Sequence, residues 1–305
     1  MKLSYRLIAG GWYLLSLLPW RFLYFISDVF YFIVRYGVGY RKKIVRKNLK
    51  NSFPSKSRQE LLAIEKDFYH WFCDYMVENI KQYSISEEEM KKRMVISGMD
   101  KIYEEMEREG KNFCFVYLGH YCNWEWIASL PYWAPKDLLC AQIYHPLYNE
   151  TFDRLFLKIR NQFGGECIPM KETLRRIIEL RREKQKTIIG FISDQGPKWN
   201  SIHHWVNFLN QDTPVFTGTE KIAKQVDALV YYGDVRRVKR GYYTCEFLRL
   251  TNHPIKQIPD WELTDLYTHK LEEMISERPG CWLWSHNRWK RTKAEWLKRN
   301  ENSTT

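Results

Sequence analysis

"FCFVYLGHYCNWEW" (residues 113–126) decides how this chain is read. Its first six residues are an unbroken apolar run of strand length, as expected of a strand covered on both faces. Gly119 then permits a sharp turn, and Asn123 is a plausible cap for a helix running through residues 124–130. His120 therefore stands at the carboxyl end of a strand, where open α/β sheets bind their ligands. Glu125, five positions on, falls in the first helical turn and can fold back toward the imidazole. A carboxylate there fixes the tautomer and stabilises the imidazolium, leaving the other ring nitrogen to take a proton from a substrate hydroxyl. An isolated pair at this spacing also arises by chance, with a capping role as the plain alternative.

Short β-rich runs alternate with helical ones on either side of that stretch. Residues 57–83 open on Ser57 as a cap and space their apolar positions at three and four, which predicts one long helix. Strands are expected at 113–118, 138–144, 187–193, 229–233 and 243–250. Helices are expected near 124–130, 148–163, 172–183, 217–226 and 263–276. This alternation predicts an α/β fold with helices on both faces of the sheet, and no internal repeat or low-complexity linker divides it.

The chain has 305 residues, 45% of them hydrophobic and 16% aromatic, which excludes global disorder. Forty-eight basic residues against 36 acidic ones give a formal charge of +12, favouring an anionic partner. The seven cysteines show no C-x-x-C spacing and several sit in apolar runs. A reducing compartment is expected, without a disulfide framework or metal cluster.

Residues 1–40 differ in kind from the rest. Two aromatic-laden apolar runs flank Pro19 and Arg21, and neither alone reaches the ~20 residues a spanning helix needs. Six basic residues follow between Arg41 and Lys50, a cluster that stays on the cytoplasmic side and attracts anionic headgroups. A membrane anchor over 1–40 and a catalytic domain over 41–305 is the resulting division. Whether the anchor spans the bilayer or lies in its interface is left open, and a buried amphipathic hairpin is the alternative.

"GHYCNWEW" resembles the H-x-x-x-x-(D/E) motif of the glycerolipid acyltransferases, and most closely the lipid A lauroyl/myristoyl acyltransferase family. The likeness extends through "VRKNLKNSFP" (45–54), "RNQFGG" (160–165), "FISDQGP" (191–197) and "CWLWSHNRWKR" (281–291). Two places depart from the family pattern. Ser193 stands where proline usually precedes the Asp-Gln pair, and Leu209-Asn210 replaces an aromatic-Phe-Gly segment.

The resemblance implies a mixed, mostly parallel sheet covered by helices, as in glycerolipid acyltransferases. It also implies acyl transfer from an acyl-carrier-protein thioester to a hydroxyl of a lipid A precursor, at the cytoplasmic face of the inner membrane. His120 and Glu125 are then the catalytic pair, with Asn123, Arg160, Asp194 and Gln195 binding substrate or the oxyanion. Asp194 is assigned to site architecture or substrate positioning, with capping of the next turn as its plain reading. No cofactor or metal is expected, and Cys122 reads as structural, not as a nucleophile.

The arginine-rich runs 174–184 and 234–241 are ordinarily solvated faces, although a phosphorylated lipid and an acidic carrier would both meet them favourably. "WSHNRWKR" mixes Trp and Arg as single-stranded nucleic-acid binders do, but no nucleic-acid-binding fold accompanies it and no nucleic-acid partner is expected. Rival readings are a lysophospholipid or mannosylated acceptor, an inactive membrane-bound lipid-binding protein, and a hydrolase.

Overall fold

A computed structural model describes residues 3–301. Nine strands are described: β1 (Met94–Ser97), β2 (Phe113–Leu118), β3 (Leu139–Tyr144), β4 (Glu166–Pro169), β5 (Thr187–Ile192), β6 (Trp205–Phe208), β7 (Gln211–Pro214), β8 (Leu229–Lys239) and β9 (Tyr242–Arg249). The first helices are α1 (Leu3–Ser16), α2 (Trp20–Phe32), α3 (Lys42–Ser52), α4 (Arg58–Lys81), α5 (Glu87–Arg93) and α6 (Met99–Arg108). They are followed by α7 (Glu150–Asn161), α8 (Thr173–Arg182), α9 (Gly218–Val226), α10 (Glu262–Glu277) and α11 (Lys293–Glu301).

Seven strands form one sheet in the order β1-β9-β8-β2-β5-β3-β4. Only β8 and β9 pair antiparallel, so five strands run one way and two run against them. The expected mixed, mostly parallel α/β sheet is what the chain forms. Strand β2 lies near its middle with all six residues buried, which is why its sequence is apolar without alternation. The register fixes the site's origin: Leu118 of β2 lies opposite Ile192 of β5. Residues two positions beyond each strand, His120 and Asp194, therefore emerge side by side at the carboxyl edge. A Cβ on Gly119 would come within 2.6 Å of Leu271 Cδ1, so a larger residue there would have to push that α10 side chain aside.

Helix α4 begins with the capping box its sequence suggested, Ser57 and Glu60 exchanging hydrogen bonds. The expected helix after Asn123 is a 3₁₀ segment, Trp124–Tyr132, with Pro131 inside it. Proline lacks the amide that a continued α-helical ladder would use there.

Helices α1 and α2 are bent by 111° and, among the described residues, no single helix is long and apolar enough to cross a membrane. Helices α1 and α2 are tied to the rest by polar contacts. Ser27 Oγ donates to Asp74 at 2.7 Å, Asp28 pairs with Arg240 at 2.6 Å, and Lys81 Nζ donates to the Ser16 carbonyl at 2.8 Å. The Arg93 guanidinium stacks 3.8 Å above the Trp20 ring. The outer side of the pair remains uncovered: Leu7, Leu14, Phe22, Phe25 and Phe32 are each more than 60% exposed.

Candidate active site

The carboxylate that meets the histidine is Asp194. Its Oδ1 lies 2.5 Å from His120 Nδ1, and its Oδ2 accepts the His120 amide at 2.9 Å and the Trp282 indole N–H at 2.8 Å. Burial raises the Asp194 pKa, but the His120 ring and these hydrogen bonds outweigh it and hold the carboxyl at about 2. An ionised Asp194 requires a donor at Nδ1, which leaves Nε2 as the ring's basic atom whenever His120 is neutral. Gln195 Nε2 lies 3.2 Å from that atom. Both groups line a narrow hollow with Asp194, Trp282, Leu283 and His286, closed too tightly here to admit a water molecule.

Glu125 does not hold the imidazole, and here the sequence expectation is corrected. Its carboxylate forms a two-pronged pair with Arg160, at 2.8 Å from Nε and 2.6 Å from Nη2. Burial pushes the Glu125 carboxyl up, but Arg160 and then His120 pull it net downward. Burial likewise opposes the Arg160 charge, and Glu125 outweighs it to raise that group. The tightly wound segment after Asn123 turns Glu125 toward α7, whose last turn carries Arg160.

Asn123 also departs from the expected substrate-facing role. It is fully buried, with its Oδ1 accepting the Trp126 amide at 3.3 Å and its Nδ2 donating to Glu78 at 2.8 Å. The cap is present and no part of the side chain faces the hollow. Glu78 sits wholly inside, also accepting from Tyr243 at 2.9 Å, and burial pushes its carboxyl up to about 7.

A strap from the carboxyl-terminal part completes the site. Residues 281–283 run antiparallel to 120–122: Tyr121 bridges Trp282, Cys122 N donates to the Cys281 carbonyl at 2.9 Å, and Leu283 N donates to the His120 carbonyl at 3.2 Å. Cys122 is fully buried and burial lifts its thiol well above the ordinary value, which fits a structural cysteine. From α3, Asn48 Nδ2 donates to the carbonyls of Trp284 and His286 at 2.9 and 3.0 Å, clamping the strap from outside. The tryptophans of this stretch pack against one another, and Trp282 also positions Asp194.

Sequence reasoning gave no part to Trp282, Asn48 or His286. The signal for Trp282 was the tryptophan beside Cys281, but nothing in its spacing names Asp194 as its partner. The basic runs are largely paired: Arg237 bonds Asp74 at 2.8 Å, Arg236 bonds Asp234 at 2.9 Å, and Arg176 bonds Glu166 at 2.8 Å.

A base held by a buried anion, beside a side-chain amide donor at the edge of a parallel sheet, suits proton removal from a hydroxyl during acyl transfer. Comparison with curated proteins finds no match to this chain. The family model for bacterial lipid A biosynthesis acyltransferases matches residues 2–291. The chain belongs to that family and is an acyltransferase of lipid A biosynthesis.

Proposed function

We propose that this enzyme transfers a fatty acyl chain from an acyl-carrier-protein thioester to a hydroxyl of a lipid A precursor, with His120 as general base. The contact between His120 Nδ1 and Asp194 carries this reading, because it points Nε2 at the hollow. Nε2 takes the hydroxyl proton as the oxygen bonds to the thioester carbonyl carbon. The resulting oxyanion needs an N–H donor, and Gln195 Nε2, 3.2 Å from the base, is placed to supply one. When the C–S bond breaks, the imidazolium returns its proton to the departing thiolate. No covalent acyl-enzyme is needed. Arg160, half-buried and held in place by Glu125, stands beside this step as a donor for the oxyanion or a substrate phosphate.

The exposed apolar side of α1 and α2, followed by the basic residues of α3, supports attachment to the inner membrane from the cytoplasmic face. The bend favours an in-plane arrangement over a spanning one, with residues 1–40 as the membrane-facing part and 41–305 as the catalytic part.

The test is transfer by the purified protein from an acyl-carrier-protein thioester to a lipid A precursor, followed by mass spectrometry. His120→Ala should lose ~10²–10⁴-fold in rate while still binding the lipid. A folded His120→Ala protein that transfers at the wild-type rate would overturn the assignment. Release of free fatty acid in place of acylated lipid would favour a hydrolase.

A further inference from the structure

A second charge lies behind the His120–Asp194 dyad. Arg288 is 3% exposed, and its Nη2 donates to the Pro214 carbonyl at 2.7 Å. Its Nε and Nη1 have no hydrogen-bond partner among the described residues. A Cβ placed on Gly196 would lie 3.1 Å from Nη1, so the guanidinium rests against the turn that carries Asp194 and Gln195. Burial pushes its pKa down to about 10, with Asp194 and then Tyr267 acting against that, so it stays charged at neutral pH. A buried cation with unused donors is costly unless an anion nearby compensates it.

The neighbouring groups leave one candidate for that anion. From α10 and β8, Tyr267 and Tyr232 are buried phenols raised well above their ordinary value by burial, hence neutral. From the strap, Trp282 carries no charge, and His286 is pushed down to about 4 by burial, with His120, Arg288 and then Lys290 adding to the effect against the pull of Asp194. On the outer side of His120, Glu125 is already balanced by Arg160. Asp194 is the carboxylate that remains.

We propose that Arg288 is a positioning residue for acyl transfer: its guanidinium is the standing counter-charge of Asp194, keeping that carboxylate anionic while His120 is the neutral base. This rests on His120 being the base. Between turnovers His120 must be uncharged, which would leave Asp194 as a buried anion facing a neutral ring. A cation behind the dyad opposes proton binding there, and an imidazolium could not accept a proton from a hydroxyl. Arg288 acts on both members in the useful direction, favouring the carboxylate and disfavouring the imidazolium. Because it makes no hydrogen bond to Asp194, it leaves both carboxylate oxygens to His120 and Trp282.

The experiment is a pH titration of the full-length protein labelled with ¹³C-histidine, with the His120 resonance assigned by its loss in His120→Ala. Arg288→Met should move the His120 midpoint upward by about one pH unit. The acid limb of kcat/KM should follow, with activity recovering at alkaline pH. Arg288→Lys should titrate near wild type. If Arg288→Met does not fold, Arg288→Gln removes the charge while keeping a donor for the Pro214 carbonyl. A folded charge-removing variant with an unmoved midpoint would overturn the proposal. If the midpoint moves but His120→Ala still transfers normally, the electrostatic link stands and the base assignment falls.

Discussion

Asp194 and Glu125 are both ionised carboxylates at one site, yet different substitutions should expose different duties. Asp194→Asn keeps the shape but puts an amide where every neighbour already donates: the His120 ring, the His120 amide and the Trp282 indole. We expect kcat to fall ~10²-fold or more as the ring loses its fixed tautomer, in a protein that still folds. Glu125→Gln should act through Arg160, leaving a half-buried guanidinium without its anion, so stability should drop by about 1–3 kcal/mol along with activity. Melting curves beside steady-state kinetics separate the two, and equal melting losses would contradict this division. The sequence offered Glu125 because it is five residues from His120. It could not name Asp194 as the holder, since that contact depends on β5 lying directly beside β2.

Two buried acids also give stability opposite slopes with pH. Asp194 is held below its ordinary value by His120, so its contribution is present above about pH 4 and lost as pH falls toward 2. Glu78 is raised by burial to about 7, so its contribution is complete below its ordinary value near 4.5 and lost as pH rises through 7. Glu78→Gln should therefore flatten the melting temperature between pH 4.5 and 7 while leaving the acid limb in place. Calorimetry across that range checks it, and an unchanged slope would mean that another group sets it.

At the scale of elements, the carboxyl-terminal strap has little regular structure of its own and depends on α3. Asn48→Ala would strip donors from two carbonyls on residues 284 and 286, costing about 1–3 kcal/mol. Because the same strap carries Trp282, we expect kcat to fall with KM little changed. A loss confined to KM would place the strap's role in binding. The central strands were legible because a strand buried on both faces must be apolar throughout: β2 matches its expected bounds and β3, β5 and β9 fall within one residue of theirs, while β8 runs six residues past Gly233 into the basic run. Strands β1, β4, β6 and β7 have four residues each, too short to show a period. The hairpin β6–β7 even includes Leu209 and Asn210 in left-handed conformations, and this departure from the family pattern forms its turn.

At the scale of the whole molecule, the amino-terminal helices are both surface and core. Their apolar excess suggested a separable anchor, and sequence alone could not show that one side is spent on α4. Deleting residues 1–40 would remove Ser27 and Asp28 from the Asp74–Arg240 network and uncover Trp126, which Trp20 meets edge-on at 6.0 Å. We expect that deletion to destabilise the fold, so membrane attachment is better tested by surface changes. Phe22→Ser with Phe25→Ser alters side chains that are 61% and 67% exposed and should leave the melting temperature within a few degrees. Binding to vesicles should weaken at every salt concentration, because lost apolar burial is not screened. Replacing Lys43, Lys47 and Lys50 by Gln should weaken binding only to anionic vesicles, at about 1 kcal/mol per residue near the surface, and the difference from wild type should fade as salt shortens the screening length. Flotation with neutral and anionic vesicles at two salt concentrations reads both effects. Equal binding by all three proteins would show that this face does not meet the membrane.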